Sequence, residues 1–346
     1  MANTLGAAAQ IAGQTLRFGW YLGLNRLVEV RSRGRHPAPR PVPARPVPTR
    51  AEILADLAQL YLRDAQAVRD GIYPPSVGEE GPLESFERAR ALLADLPHAL
   101  ERRQARDATT AKAEAEAAAA VLPDYYAQDF HFQTGGYLTE GSARLYDMQV
   151  ETLFLGGAAA MRREALRPVA EYMRGRDQRH VVLLDVACGT GRLLRQVRLA
   201  WPAMQLKGLD LSRPYLDEAR RHLNGLRAVE WVEAAAERMP LADASVDIAC
   251  STFLYHELPP EVRRAVTVEI ARVLKPGGVF VFLDSLQMGD RPDWDGLLET
   301  FPARFHEPYY RHYAIDDLDG MFADAGLAAL SSWTSHLAKV MVRRKG

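Results

Sequence analysis

Residues 181–191 read VVLLDVACGTG, and this stretch decides the fold. An apolar run rich in β-branched residues that ends in an acid predicts a strand buried on both faces. The glycine-rich turn leads into residues 193–199, whose apolar side chains have helical spacing. Strand, turn and helix form a βα unit, and its ligand-binding turn lies at the carboxyl end of the strand.

The same pattern repeats downstream of the first unit. Helical stretches alternate with further predicted strands at 206–211, 229–233, 246–252 and 279–283. After a helix at about 316–325, residues 328–337 and 338–344 read as two strands with no helix between them, which predicts an antiparallel hairpin. The whole therefore predicts an α/β fold with a doubly wound, mostly parallel sheet of seven strands.

The glycine spacing indicates which cofactor the turn holds. A dinucleotide-binding turn requires G-x-G-x-x-G. Here the small residues are Ala187, Gly189 and Gly191, and Arg192 follows. The third small residue comes one place too early, which argues against a nicotinamide cofactor.

The segment Asp185–Gly191 instead resembles the first motif of class I S-adenosylmethionine-dependent methyltransferases, D/E-x-G-x-G-x-G. Residues 234–240 (AAAERMP) are similar to the family's G-D-A-E-x-L-P turn. Residues 245–248 (SVDI) and 272–278 (RVLKPGG) resemble two later motifs in the same order. The resemblance covers about 181–285 and is greatest to small-molecule methyltransferases of the ubiquinone/menaquinone-biosynthesis type. It implies a Rossmann-like fold and S-adenosylmethionine as cofactor.

The resemblance also implies which residues hold the cofactor. The glycines let the backbone approach its amino-acid end, and Asp185 can orient its ammonium group, directly or through water. Asp210 can accept hydrogen bonds from both ribose hydroxyls. The expected cofactor-binding residues are Asp185, Ala187, Gly189, Gly191, Asp210, Leu211, Ala235, Ala236, Thr252 and Tyr137.

Two positions depart from the family pattern. Ala187 replaces the first glycine, and Ala235 stands where an aspartate often receives the adenine amino group. Unless Glu237 or a water replaces that hydrogen bond, its loss weakens affinity by about 1 kcal/mol. The backbone amide of Ala236 can still meet the ring.

Candidate catalytic and substrate residues follow the strands. His256 lies in the loop after the fourth strand, and its unperturbed pKa near 6.5 suits proton removal from an acceptor. The alternative is a loop histidine without catalytic use. Two aromatic segments, 125–137 and 301–313, are predicted to form a lid over the methyl donor, although core packing would explain them too. The candidates taken from them are Tyr310 for catalysis and Tyr126, His131, Tyr309 and His312 for substrate binding.

The predicted function is methyl transfer by in-line displacement to a small, hydrophobic or aromatic molecule. The alternatives are a non-catalytic cofactor-binding module and an enzyme of the same fold that catalyses another transfer. Residues 251–254 read STFL rather than an Asn-Pro-Pro-Tyr motif, which argues against planar amino groups as acceptors. The pattern fits O, N, C or S as the methylated atom.

Composition limits the partners. The chain has 346 residues and a net charge of −1, so no basic field indicates nucleic acid. Two cysteines are too few for a disulfide framework or a cysteine-rich zinc site, and we predict Cys188 and Cys250 as small buried residues in a reducing cytoplasm. No metal site is expected. Five lysines among 43 basic residues are typical of a GC-rich bacterial genome.

The first part of the chain is basic. Residues 1–50 hold eight arginines and one acid, Glu29. Arg17 and Arg26 interrupt the apolar run at 11–30, so it is a poor membrane span, and it lacks the features of a signal peptide. We predict an amphipathic segment over 1–36. It either lies on an anionic membrane surface or docks on protein.

The remaining boundaries follow from composition. The six prolines in residues 37–48 predict an extended linker. Residues 49–122 predict a helical appendage, in which Thr49 and Glu52 form a capping box and a second helical stretch covers 83–121. Residues 123–180 are predicted to hold the aromatic lid and the helix that leads into a catalytic domain at 181–346.

Overall fold

The computed structural model describes residues 3–33, 41–76, 81–105, 107–117 and 122–346. The end of the predicted amphipathic segment and the first third of the proline-rich linker, residues 34–40, lie outside the described residues. So do residues 118–121, the end of the second predicted helical stretch.

A seven-stranded sheet forms the centre of the molecule, as predicted. Its order is β3-β2-β1-β4-β5-β7-β6; β1 to β5 are parallel, and β7 runs antiparallel to both of its neighbours. The strands are β1 Val182–Val186, β2 Gln205–Asp210, β3 Glu230–Glu233, β4 Val246–Thr252, β5 Leu274–Ser285, β6 Leu327–Ser335 and β7 Ala338–Lys345. The strand order reverses between β1 and β4, where ligands bind in open α/β sheets.

Helices cover both faces of the sheet. They are α1 Thr4–Ser32, α2 Arg50–Arg69, α3 Pro82–Ala105, α4 Thr110–Ala117, α5 Glu140–Leu153, α6 Ala158–Arg163, α7 Leu166–Met173, α8 Arg192–Ala200, α9 Arg213–His222, α10 Pro260–Val273, α11 Asp295–Arg304, α12 Tyr310–Tyr313 and α13 Leu318–Asp324. Four short 3-10 turns are also described, of which Phe130–Phe132 and Tyr255–Glu257 lie near the candidate site.

The buried strands divide the core into two layers. Leu183 points into one apolar cluster and its neighbour Leu184 into the other, because successive side chains of a strand face opposite ways. Both are fully buried. Each contributes about 1.5–3 kcal/mol relative to an exposed side chain.

The predicted helical appendage shares this core. The capping box at Thr49 and Glu52 is present, with Glu52 Oε2 accepting from the Thr49 amide at 2.6 Å. Leu57 and Leu60 of α2 belong to the same apolar cluster as Leu183. Residues 50–69 are therefore packed against the catalytic sheet, although the boundary at 49 stays a prediction.

The prediction of one helical stretch over 83–121 is wrong, because the structure has two helices there, α3 and α4. Asp107 accepts a hydrogen bond from the Thr109 amide at 3.0 Å and ends the continuous helical pattern. Asp129 accepts from the amides of Thr110 and Ala111 at 3.1 and 2.9 Å. A carboxylate from a distant segment thus caps α4, which helical propensity along the chain does not reveal.

One face of α1 docks on the protein itself. Tyr21 and Leu24 are buried in a cluster with α3 and α5. Gln10 donates to Asp64 Oδ2 of α2 at 2.5 Å, and Arg163 donates to Asp64 Oδ1 at 2.6 Å. The docking alternative therefore holds for this face. Of the helices within the described ranges, none is long and apolar enough to cross a membrane.

Candidate active site

The glycine-rich turn after β1 has left-handed backbone. Gly189 has φ 54°, and a Cβ there would meet no atom within 4 Å, so its side is open to a ligand. Gly191 has φ 74°, and a Cβ there would lie 2.9 Å from Leu223 and 3.0 Å from Ala219. Gly191 thus allows α8 to pack closely on α9. Ala187 adopts φ 55° despite its methyl group, at a cost of about 1–2 kcal/mol.

Asp210 ends β2 beside this turn. Its Oδ2 accepts from the Gly189 amide and its Oδ1 from the Ser212 amide, both at 2.8 Å. Burial raises the pKa of the Asp210 carboxyl to about 6, against the opposing effect of backbone amides. Each oxygen keeps a lone pair, so the carboxylate can still accept from a vicinal diol such as a ribose.

Asp185 near the end of β1 is fully buried. Neither of its oxygens has a hydrogen-bond partner in the described part of the chain. Burial raises the pKa of its carboxyl to about 8, although Arg162 opposes this shift. A buried carboxylate without a partner fits a cationic ligand group such as an ammonium.

A cavity of about 110 Å³ lies above the carboxyl ends of the strands. The aromatic segment before the catalytic domain supplies Tyr125, Tyr126, Phe130 and Tyr137 to its wall. Among the predicted cofactor residues, those that line it are Ala187, Gly189, Asp210, Leu211, Ala235, Ala236, Thr252 and Tyr137. Asp185 and Gly191 support the turn without lining the cavity.

Glu237 lies near Ala235, whose side chain cannot accept a hydrogen bond from the adenine amino group. It lines the cavity, and its Oε1 accepts from Tyr125 at 2.8 Å. Its Oε2 is buried and has no described partner. This oxygen can accept the hydrogen bond from the adenine amino group that the side chain of Ala235 cannot accept.

The first aromatic segment lines the cavity, and its role as a lid stays a prediction. The ring of Tyr137 stacks on Phe130 with centroids 5.2 Å apart and meets Tyr215 edge-on at 5.5 Å. Tyr126 lies 6.2 Å from Tyr137. Offset stacks and edge contacts of this kind hold rings in fixed positions.

The second aromatic segment does not line the cavity, which corrects that prediction. Tyr310 is buried in a separate cluster with Leu286 and Leu298, and its hydroxyl lies 2.7 Å from Ser285 Oγ. Tyr309 is half-buried, and His312 is half-exposed beside Asp316. Phe301 and Tyr310 pack in this separate cluster, and Tyr313 packs in one of the two main core clusters. Sequence spacing does not distinguish such packing from a lid.

His256 lies close to the cavity but does not line it. Its Nδ1 lies 2.5 Å from Asp284 Oδ1, and its Nε2 lies 3.6 Å from Glu257 Oε1. Burial alone would lower the pKa of His256, but the charges of Asp284 and Glu257 raise it to about 9. The adjacent Glu257 lines the cavity instead.

Five side chains form what we term the carboxylate–imidazole row: Asp284, His256, Glu257, His131 and Glu307. His131 connects the last two acids, with Nε2 3.3 Å from Glu257 Oε1 and Nδ1 2.7 Å from Glu307 Oε1. His131 and Phe132 both have left-handed backbone, φ 55° and 56°. Such strain outside glycine clusters at functional sites.

The sequence analysis missed Glu257, Asp284 and Glu307. Two of them could have been predicted from the sequence. Glu257 directly follows His256, and Asp284 lies near the end of β5, at the edge of the sheet where the cofactor turn also lies. His131, Glu257 and Glu307 are metal-ligand residue types whose ligand atoms lie within 4.8 Å of one another. The two carboxylates, however, approach opposite nitrogens of the ring, so we interpret the group as a row of charges.

The two cysteines are free thiols. Cys188 and Cys250 are both buried. Burial raises the pKa of each thiol well above its usual range. They are the small buried residues that the sequence predicted.

Comparison with known proteins agrees with this geometry. Residues 183–278 match a family model described as a methyltransferase domain. The chain is 28% identical over 200 residues to the ubiquinone/menaquinone biosynthesis C-methyltransferase of Desulfotalea psychrophila, covering 57% of this chain and 74% of that protein. It is 28% identical over 161 residues to a fatty-acid O-methyltransferase of Mycolicibacterium smegmatis, covering 46% and 56%. A solved methyltransferase from Aquifex aeolicus is 18% identical, with a TM-score of 0.39, over 53% and 90% of the two chains.

Residues 183–278 are therefore a methyltransferase domain, the chain is similar to S-adenosylmethionine-dependent enzymes of class I, and S-adenosylmethionine is its cofactor. Within that class it is similar to the ubiquinone/menaquinone-type enzymes. The chain spans about half the length of several of its other relatives, including 56% of the fatty-acid enzyme.

Proposed function

We propose that the protein methylates a small hydrophobic or aromatic molecule held beneath the aromatic lid. The observation that carries this proposal is the continuity of the cavity: one wall is the cofactor turn, with Gly189 and Asp210, and the other is the lid, with Phe130 and Tyr137. A flat, apolar acceptor matches this lining, because aromatic faces stack on it and exclude water.

The chain's own residues hold and orient the reactants. When bound, S-adenosylmethionine supplies an electrophilic methyl group on its sulfonium. We assign the ribose to Asp210 and the amino-acid end to Asp185, which acts directly or through water. The lid rings keep the acceptor dry and in line, which is most of what methyl transfer requires.

A non-catalytic cofactor-binding module is the second candidate. Glu257 favours the enzyme, because its Oε2 is buried at the cavity without a described partner. A binding module has no use for a carboxylate left in this state, since its desolvation is unfavourable.

Incubation with S-adenosylmethionine labelled at the methyl group, and with extracts of small lipophilic molecules, tests the proposal. We expect a labelled product with the wild type and little with Tyr137→Ala. Cofactor binding without any labelled product across phenolic, quinol and fatty-acid acceptors would favour the binding module.

We also propose that the exposed face of α1 rests on an anionic membrane surface. Six large apolar side chains of α1 are exposed: Leu5, Ile11, Leu16, Trp20, Leu27 and Val30. At 3.6 residues per turn all of them except Ile11 fall within an arc of about 80°. The buried positions Gln14 and Tyr21 lie on a different side of the helix.

Charge and shape favour lipid as the occupant of this face. Arg31 and Arg33 are exposed at its end, and Arg90 lies across a groove that Phe86 of α3 also lines. Exposed arginines gain about 1 kcal/mol each at an anionic bilayer, and the apolar side chains can enter the headgroup region. A cytoplasmic enzyme with a lipophilic acceptor would find that acceptor concentrated there.

Flotation with phosphatidylglycerol vesicles tests this contact. We expect the wild type to float at low salt and to be released at high salt. The double variant Leu16→Ser, Leu27→Ser should stay in the soluble fraction, while Ile315→Ser, which changes an exposed residue elsewhere, should float. Failure of the wild type to float, or self-association through this face in light scattering, would contradict the proposal.

A further inference from the structure

The carboxylate–imidazole row lies beside the cavity, and the cofactor turn makes no use of it. We propose that this row takes up the proton that the methyl acceptor loses, with Glu257 facing the acceptor and Glu307 receiving the proton that His131 then releases. The inference rests on the proposed function, because it concerns the acceptor of the same cavity. It restricts the acceptor to molecules with an ionisable hydrogen on the attacking atom, such as a phenol, an enol or a carbon acid.

Glu257 has one oxygen held and the other available. The hydroxyl of Tyr137 donates to Oε1 at 2.7 Å, and His131 Nε2 lies 3.3 Å from the same oxygen. His256 Nε2 lies 3.6 Å from it on the other side. Oε2 is buried with no described partner, and the residue lines the cavity. The available oxygen is therefore the one that an acceptor can meet.

His131 connects Glu257 with Glu307. Its two ring nitrogens face the two carboxylates, at 3.3 Å and 2.7 Å. Burial alone would lower the pKa of His131, but the two carboxylates raise it to about 10, so its ring carries a proton on each nitrogen. When Glu257 has gained a proton, the ring can give its Nδ1 proton to Glu307 and keep its Nε2 proton toward Glu257. The ring becomes neutral in this step, and no heavy atom has to move far.

Glu307 suits the end of this path. It is 3% exposed; its Oε1 lies 2.7 Å from His131 Nδ1, and its Oε2 is buried with no hydrogen-bond partner among the described residues. Burial raises the pKa of Glu307, although His131 opposes the shift. The pKa of Glu257 is lowered instead, because His131 and His256 outweigh its burial. Glu307 is therefore placed to receive the proton of His131 Nδ1, which lies 2.7 Å from its Oε1.

The charges balance in the transfer. Three carboxylates and two protonated imidazoles give the row a net charge of −1. The acceptor atom bonds to the methyl carbon as the carbon–sulfur bond breaks, and that electron pair stays on sulfur. The acceptor's proton passes to Glu257 and the Nδ1 proton of His131 passes to Glu307, so both glutamates end neutral, His131 ends neutral and the row has gained one proton. The sulfonium loses its positive charge as the row loses its negative charge, so no lone charge remains in the buried cavity.

The neighbouring titratable side chains stay neutral through this step. They are Tyr137, Tyr146, Tyr310 and His306. Burial raises the pKa of each tyrosine above the neutral range and lowers that of His306, so all four are neutral near pH 7. The cofactor residues Asp185 and Asp210, with pKa values of about 8 and 6, also titrate near pH 7. Only the part of the proton uptake that depends on Glu307 and Glu257 therefore belongs to the row.

Calorimetry in buffers of different ionisation enthalpy measures this proton without an acceptor. S-adenosylmethionine and S-adenosylhomocysteine share their amino and carboxyl groups, so the difference in protons taken up on binding reports the missing sulfonium charge. We expect the wild type to take up more protons with S-adenosylhomocysteine, by up to one, across the neutral range.

Variants identify the site of that proton. Glu307→Gln should abolish the difference, and Glu257→Gln should reduce it, while Glu261→Gln, an exposed glutamate one turn along, should keep it. Circular dichroism checks that each variant is folded; if Glu307→Gln is not, His131→Asn takes its place. Equal proton uptake with both ligands, or a difference that survives these changes, would overturn the inference.

Two further results would distinguish a metal centre from failure of the proposed function. Titration with Zn²⁺ or Mn²⁺ alone should show no tight site; stoichiometric binding that Glu307→Gln removes would overturn the inference in favour of a metal centre. Failure of the wild type to bind either ligand would refute the proposed function itself.

Discussion

Replacing Asp185 with asparagine tests the cofactor cradle and the energetics of folding together. The carboxyl is buried without a described hydrogen-bond partner, and burial raises its pKa from 3.8 to about 8 despite Arg162. Between these two values the folded protein holds the proton and the unfolded chain has lost it. Stability therefore falls as the pH rises through this interval.

The magnitude follows from the shift. One pKa unit corresponds to about 1.4 kcal/mol. The pKa of Asp185 in the unfolded chain, 3.8, lies about 3 units below pH 7. At pH 7 the burial of Asp185 therefore lowers the free energy of unfolding by about 4 kcal/mol at most. Asparagine has the shape of the protonated acid and takes up no proton. Asp185→Asn should raise the free energy of unfolding at pH 7 toward that limit.

Urea unfolding between acidic and mildly alkaline pH measures this effect. The wild type should lose stability as the pH rises, and Asp185→Asn should lose much less. Asp293→Asn, which changes an exposed carboxylate, should follow the wild type.

The same variant should bind S-adenosylmethionine more weakly. Loss of a hydrogen bond to a charged group costs about 1.5–3 kcal/mol, or about 10- to 150-fold in Kd. Greater stability with weaker binding is the expected combination. A variant that is less stable than the wild type at pH 7, or that binds with unchanged affinity, would refute the account of Asp185.

Other variants test separate parts of the structure. Gly191→Ala places a methyl group at φ 74° against α9 and should lower the free energy of unfolding by about 1–3 kcal/mol in urea titrations. Asp129→Ala removes the cap of α4 and should cost about 1 kcal/mol in the same assay. Tyr137→Ala should reduce turnover with little loss of stability, whereas Tyr310→Ala should lower the melting temperature, because about 3–5 kcal/mol of core packing is lost. Equal effects of the two tyrosine changes on turnover would mean that Tyr310 also contributes to the site.

Much of the fold could be predicted because the decisive signals are local. The run at 181–187 and its repeats specify buried strands by their apolar side chains alone, and the glycine turn requires a backbone that few other residues adopt. The hairpin at the end of the chain follows from two strands with no helix between them. The helix break at 107–109 could not be predicted, since the carboxylate that caps α4 comes from Asp129 in another segment.

In the candidate site, too, some residues could be predicted from the local sequence and others depend on tertiary packing. Asp185, Gly189 and Asp210 lie at strand ends, where the topology of a parallel sheet brings side chains together whatever surrounds them. The two aromatic segments are alike in composition, yet one lines the cavity and the other packs in a separate cluster and in one of the two main core clusters. Which segment does which depends on how α5 and α12 pack, and residue spacing carries no information about that.

The sequence by itself determined the sheet, the cofactor turn and the class of chemistry, because strand burial and glycine conformation depend on neighbouring residues. Only the tertiary structure decided the surroundings of His256. It placed Asp284 behind the ring, Glu257 at the cavity, and His131 and Glu307 beyond it, from segments up to 176 residues apart in the chain. Long-range packing sets such distances, and with them the charges that each buried group experiences.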